Sequence, residues 1–213
     1  MERYVTVNAA VLKVTEYSES SRILTALSAE YGLIGISCKG VKRRNSRELA
    51  GVQPFSFCKY RLYRGKGELY TLVSAELIES FYDLSSDVDR FMEAGKIAKE
   101  VRSVSRENYP EPDLLSLYLN TLFALSYSQK PGDLIYAVFT VRLKALMGLL
   151  PEPEILAERW YPEGETGSAK KAALVQALTH ITGCGFKDLY GFRVADELAA
   201  LICGGAETLK KED

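Results

Sequence analysis

The sequence predicts an α+β protein, with a small five-stranded β-barrel over residues 1–82 and an all-helical domain over residues 83–213. Three observations carry that expectation. The hydrophobic period changes from two to helical near residue 82. Before the change lie five short apolar runs separated by turn signals, the pattern of a small closed barrel. The charge changes sign at about the same place: residues 1–80 hold twelve Lys/Arg against eight Asp/Glu, and residues 81–213 hold fifteen against twenty. With 213 residues, 47% of them apolar, the chain can bury a core without disulfide or metal staples.

The strands follow in order. Val5, Val7, Ala9 and Val11 alternate with Thr6, Asn8 and Ala10, and the runs Ile23 to Leu27 and Leu33 to Cys38 come next. Glu16 to Ser20 and Glu30 to Gly32 read as the turns between them. A fourth run, Phe55 to Tyr63, meets the glycine-rich hairpin turn Arg64-Gly65-Lys66-Gly67, and Leu69 to Ala75 is the fifth. That turn is no phosphate loop, because it lacks the G-x-x-x-x-G-K-[ST] frame and stands between strands.

After residue 82, Ser86 is expected to cap a helix with Asp89 three residues on, its stripe being Val88, Phe91, Ala98, Val101 and Val104. Asn108 to Pro112 breaks the chain before a second helix, Asp113 to Tyr127. Pro131 opens a third, running to Leu149, which is apolar nearly all round and so belongs at the centre of a bundle. Residues 151–167, with three prolines and two glycines, read as a loop. Two helices, Ser168 to Thr182 and Arg193 to Cys203, finish the domain, with Gly204-Gly205 as the stop and Glu207 to Asp213 as a frayed tail.

Several function classes are excluded. The apolar stretch Leu134 to Val141 is too short to span a bilayer, and the N-terminus has no apolar signal core, so a cytoplasmic protein is expected. Cys38, Cys58, Cys184 and Cys203 are scattered with no C-x-x-C pair. That excludes a zinc ribbon and a secreted disulfide framework, and buried, hydrophobe-like thiols are expected. The one histidine, His180, stands at i, i+4 from Cys184, a two-ligand spacing with no third ligand evident. The acids spread along the helices without a paired constellation. No catalytic site, metal or cofactor is expected.

What remains is charge. Residues 39–66 hold nine cations, namely Lys39, Lys42, Arg43, Arg44, Arg47, Lys59, Arg61, Arg64 and Lys66, against the single acid Glu48. Such a block is the usual footprint of a nucleic-acid or anionic surface, the alternative being a solvated loop without a partner. In the strand Phe55 to Tyr63, alternation sends Cys58, Tyr60 and Leu62 one way and Phe57, Lys59, Arg61 and Tyr63 the other. The first set suits a barrel core. The second either stacks bases and tracks phosphates, or leaves Phe57 packed under a neighbouring element with its charges solvated.

The segments Tyr17 to Thr25, Tyr31 to Ile34, Lys39 to Arg47 and Gln53 to Phe55 stand in the order found in one bacterial family, with Leu69 to Leu77 and Gly148 to Pro151 beyond them. On these segments the chain resembles the RecO recombination mediators. The resemblance implies an OB-fold barrel, a helical domain and no catalytic site. It implies binding of single- and double-stranded DNA, annealing of complementary strands, and action with RecR to place RecA on strands coated by single-strand-binding protein, in a cytoplasmic, nucleoid-associated setting. The segment Lys39 to Arg47 corresponds to a basic loop of that barrel. Family members contact the acidic, apolar tail of single-strand-binding protein through the helical domain, for which Arg102, Arg106, Arg142 and Lys144 are the candidate basic residues here. Many members also carry two C-x-x-C pairs after the G-x-x-P segment, forming a zinc hairpin; this chain has no cysteine between Cys58 and Cys184. Two other readings remain: an OB-fold binder of RNA, and a helical protein-interaction module whose basic loop is incidental.

Overall fold

The computed structural model describes residues 3–42, 48–162 and 168–209. Five strands, β1 (Tyr4–Ser18), β2 (Ser21–Ser28), β3 (Gly32–Cys38), β4 (Phe57–Arg64) and β5 (Tyr70–Glu79), close a barrel in the order β1-β2-β3-β5-β4. Closure works because β1 is long enough to serve two partners. Its first half pairs with β4, from Tyr4↔Tyr63 to Ala10↔Phe57, and its second half pairs with β2. This is the OB-fold barrel expected. Glu16 to Ser18 belong to β1 and not to the turn, and β5 continues to Glu79.

Alternation sorts the strands into two faces. Val7, Ala9, Val11, Leu24, Ile36, Cys58, Tyr60 and Leu62 fill the barrel. A 3-10 turn, Ala50–Val52, plugs one end: the buried Tyr60 hydroxyl donates to the Gly51 carbonyl at 2.6 Å. Only glycine fits there, since a Cβ on Gly51 would lie 2.8 Å from Ala75 Cβ and 3.1 Å from Cys58 Sγ. Burial pushes the Cys38 thiol up to about 12 and raises the Tyr60 phenol as well, so both stay neutral.

The helices are α1 (Val88–Val104), α2 (Pro112–Tyr127), α3 (Gly132–Leu146), α4 (Pro153–Trp160), α5 (Ser168–Gly183) and α6 (Ala199–Leu209). α3 is the centre of the layer, with Leu134, Ile135, Val138, Phe139 and Val141 all buried. It stops at Leu146, before the expected Leu149, where Gly148 turns the chain at φ 69°. The α1 cap is Asp87, whose side chain accepts from Arg90 N–H; Ser86 instead donates to the Asp83 carbonyl. The buried stripe of α1 is Ala94, Ile97, Ala98 and Val101, while Val88 is 75% exposed.

Two expectations fail for one reason. Residues 153–160 form α4 and not a loop, because Pro153 starts the helix at a position where its missing N–H costs nothing. Its buried face of Leu156, Ala157 and Trp160 then packs on α6. There Gly204-Gly205 does not end the chain's last helix, which runs from Ala199 to Leu209 after a 3-10 turn at Asp196–Leu198. A Cβ on Gly205 would fall 1.9 Å from Trp160 Cε3. The glycine is there for close approach of the indole.

Barrel and helices share a core. Ala10, Leu12, Leu27, Phe55 and Phe81 join the helical cluster, Tyr118 donates its hydroxyl to the Val11 carbonyl at 3.1 Å, and Glu111 N–H donates to the Ala29 carbonyl at 2.9 Å. Among the described residues no helix is long and apolar enough to cross a membrane.

Candidate nucleic-acid interface

On the outside of the barrel the register sets cations and aromatics in rows. Asn8, Lys59 and Glu76 lie in one row across β1, β4 and β5, Thr6, Arg61 and Ser74 in the next, and Tyr4, Tyr63 and Thr71 in the third. Lys59 and Arg61 are exposed and Tyr63 is half-buried. Tyr4 and Tyr63 pack with their rings tilted at 58° and 5.3 Å between centroids, and the Arg61 guanidinium sits 5.5 Å from the centroid of the Tyr4 ring. Cation and rings thus hold one another in place, which keeps the side chains extended over the strand surface. Arg64 lies 5.9 Å from the Tyr70 ring, and Lys66 is exposed in the hairpin that follows.

Tyr4 is a member of this face that the sequence does not single out. Its signal is the alternation Tyr4-x-Thr6-x-Asn8 on the outer face of β1, which gains meaning only once β1 is known to lie beside β4. Phe57 separates from the group. It is half-buried against the helical core, one row beyond Lys59, so the packed reading of that residue holds.

The basic segment after β3 is pinned at its start. Gly40 turns at φ 71°, Val41 is buried in the barrel, and Lys42 N–H donates to the Ser20 carbonyl at 3.3 Å. Lys39 is exposed beside that turn. Lys42 Nζ reaches Glu16 at 2.8 Å and Arg22 Nε reaches the same carboxylate at 3.1 Å. The hydrogen bond from Lys42 and the two positive charges hold the Glu16 carboxyl below the usual carboxylate range. Arg22 also donates to the Val52 carbonyl and to Gln53 Oε1, both at 3.2 Å, tying the β1–β2 end to the far side of the loop. Arg43, Arg44 and Arg47 lie outside the described residues. The strand that delivers Lys39, β3, is separated from β1 and Tyr4 by β2 on one side of the barrel and by β5 and β4 on the other.

Of the four cations considered in the helices, Arg142 must be withdrawn from the surface. It is fully buried; its guanidinium donates to the Gly185 carbonyl at 2.7 Å and the Asp188 carbonyl at 3.1 Å, between the rings of Phe186 and Phe192. A cation there organises the chain between α5 and α6 and meets no partner. Arg106 is exposed, with its guanidinium 4.9 Å from the Tyr109 ring, and Arg102 and Lys144 are half-buried. Arg106 and Lys144 border two adjoining hollows of about 410 and 400 Å³ that share Val104, Leu143 and Met147.

Residues 1–81 match the family described as Recombination protein O N terminal. The chain is similar to RecO proteins over this part and beyond it. It is 36% identical over 148 residues to the DNA repair protein RecO of Acetivibrio thermocellus, a match covering 70% of this chain and 59% of that protein. It is 39% identical over 144 residues to the RecO of Heliobacterium modesticaldum, covering 68% and 51% respectively. The RecO of Bacillus subtilis is 32% identical over 142 residues, covering 67% and 55%. The match thus spans a little over half the length of these curated RecO proteins. Among the described residues no group of three or more His, Cys, Asp or Glu is placed to hold a metal ion, and His180 makes its hydrogen bond to the Tyr190 carbonyl at 2.8 Å.

Proposed function

We propose that this chain is a non-enzymatic DNA-repair mediator of the RecO type, which binds single- and double-stranded DNA through its barrel and anneals complementary strands. The observation that carries the reading is the outer barrel face, where Lys59 and Arg61 share the outer side of β4 with Tyr63, which stands opposite Tyr4. Cations there track phosphates by releasing counterions, and rings offer faces to unstacked bases. Lys39, Lys42, Arg64 and Lys66 extend the positive surface, and Arg43, Arg44 and Arg47, which lie outside the described residues, are read with them from the sequence alone. In the helical layer, the hollows over Val104, Leu143 and Met147 are lined by Arg106 and Lys144 together with Glu100, Glu111 and Asp113, and their apolar floor is where the tail of single-strand-binding protein would dock. RecR and RecA complete the set of partners.

The test is annealing of complementary strands coated with single-strand-binding protein. The parent chain should accelerate it, and Lys59→Ala/Arg61→Ala should not. That pair should also flatten the log–log salt dependence of DNA binding by about 0.7 to 0.9 for each phosphate no longer neutralised, while stability changes by under about 0.5 kcal/mol. Replacing Lys42, Arg43 and Arg44 together with alanine should act in the same direction. A parent chain that binds RNA and not DNA would sink the reading.

A further inference from the structure

The barrel closes on its shortest seam. β3 and β5 pair, in parallel, only at Ile36↔Tyr70 and Ser37↔Thr71. Since β5 begins at Tyr70, the earlier part of β3, Gly32 to Gly35, has β2 on one edge and no β5 residue opposite the other. The opening is a cleft of about 320 Å³, walled by that strand edge, by the β4–β5 hairpin and by the loop after α1. Its walls are tied together. Leu33 N–H donates to the Arg106 carbonyl at 2.9 Å, and both Gly32 and Leu33 bridge to Glu107.

The strand edge and its neighbours define a chemistry. Leu33 N–H points away from β2, so Gly35, two residues on, turns its own N–H toward the cleft side. Gly35 has no side chain to cover that edge; a Cβ there would lie 2.5 Å from Leu69 Cδ2, and Leu69 lies across the strand as an apolar wall. Glu68, Glu107, Asn108 and Arg64 complete the lining of the cleft. Carboxylates accept and never donate, and two of them repel phosphate. The ligand they suit is flat, apolar on its faces, and carries N–H donors and ring acceptors along one edge. A nucleobase has these properties, and only an unpaired one has that edge open.

We propose that this cleft receives one unpaired base of a bound single strand, with Glu68 and Glu107 accepting from its exocyclic amine while the backbone crosses the basic outer face. The proposal rests on the DNA-binding reading of the barrel. It makes the cleft the element that distinguishes single strands from duplex.

The test turns on a sign. Glu68→Ala removes a negative charge beside a polyanion, so a mere surface carboxylate would leave binding unchanged or tighten it. A carboxylate bonded to a base behaves otherwise: affinity for a mixed-sequence single strand falls about tenfold, duplex affinity is unchanged, and the salt slope is unchanged because every phosphate keeps its cation. Asn108→Gly, which keeps the left-handed backbone at φ 56° without strain, should act in the same direction. On a strand of the same length built entirely of abasic sites, parent and Glu68→Ala should bind equally. Single-strand binding by Glu68→Ala that equals or exceeds the parent's overturns the proposal, as does equal loss on single strand and duplex, or the same loss on the abasic strand. A parent chain that binds duplex but shows none of these differences leaves the DNA reading standing without the cleft. A parent that binds neither form removes both.

Discussion

The barrel and the helical layer treat positive charge in opposite ways. The barrel keeps its cations outside: Lys59 and Arg61 stand on the outer face of β4, and Tyr60 between them is the buried residue, its one polar atom satisfied by Gly51. The helical layer is acidic overall, yet it draws Arg142 wholly inside, where two backbone carbonyls and two aromatic rings replace water. Burial pulls the Arg142 pKa downward, the cost of desolvating a charge whose partners here are backbone carbonyls. The difference teaches that a cation's place in the sequence does not announce its use. On a strand, period-two alternation decides inside from outside within a few residues. On a helix buried nearly all round, a long charged side chain can be the only donor within reach of a distant loop's carbonyls.

The comparison breaks most readily at Arg142. Arg142→Ala leaves the carbonyls of Gly185 and Asp188 without their donor and opens a cavity beside Phe186 and Phe192; a loss of about 3 kcal/mol is expected in denaturant unfolding. DNA binding measured where the variant is still folded should match the parent's. Were Arg142 a partner-binding cation, stability would stay and partner binding would go. A smaller effect is expected from the barrel's plug. Gly51→Ala forces a methyl against Ala75 and Cys58 and should cost about 1–2 kcal/mol. The same substitution at Gly67, where nothing lies within 4 Å, should cost less than about 0.5 kcal/mol.

The smallest effect separates surface charge from buried charge by pH. Glu16, exposed at 55% of its side chain, is held below its ordinary value of 4.5. Its folded pKa is therefore the lower one, so its pairing with Lys42 and Arg22 contributes fully above about 4.5 and is lost as pH falls through the depressed value. Melting curves of the parent and Glu16→Gln should differ slightly at pH 7 and converge at pH 3, and added salt should narrow the gap at pH 7. A gap that persists at pH 3 would mean that Glu16 acts through packing and not through charge.

Much of the fold was legible because its signals are local. The alternation in Val5 to Val11 and in Phe57 to Tyr63 fixes which side chains enter the barrel, and a strand has no other way to hide them. The five strands and the central position of α3 followed from period alone. The errors fall where one element answers to another. Pro153 and Gly205 read as breakers, and both are inside helices, because the first sits at a start and the second lets Trp160 approach. Val88 has the right spacing for the α1 stripe, but it stays exposed while its neighbour Phe91 packs edge-on against Phe55.

The candidate site divides along the same line. By itself the sequence determined that a basic, aromatic-bearing barrel face exists, since charge count and strand parity need no tertiary information. Only the tertiary structure decided its membership. Strand pairing added Tyr4 to that face and packing against the helices set Phe57 apart from it, while in the helical layer burial took Arg142 off the surface. The β3–β5 seam was beyond the sequence altogether. Whether two parallel strands meet over two residues or six depends on where β5 begins relative to β3 after a long intervening chain, and that register is set by closure of the barrel, not by either strand's own residues.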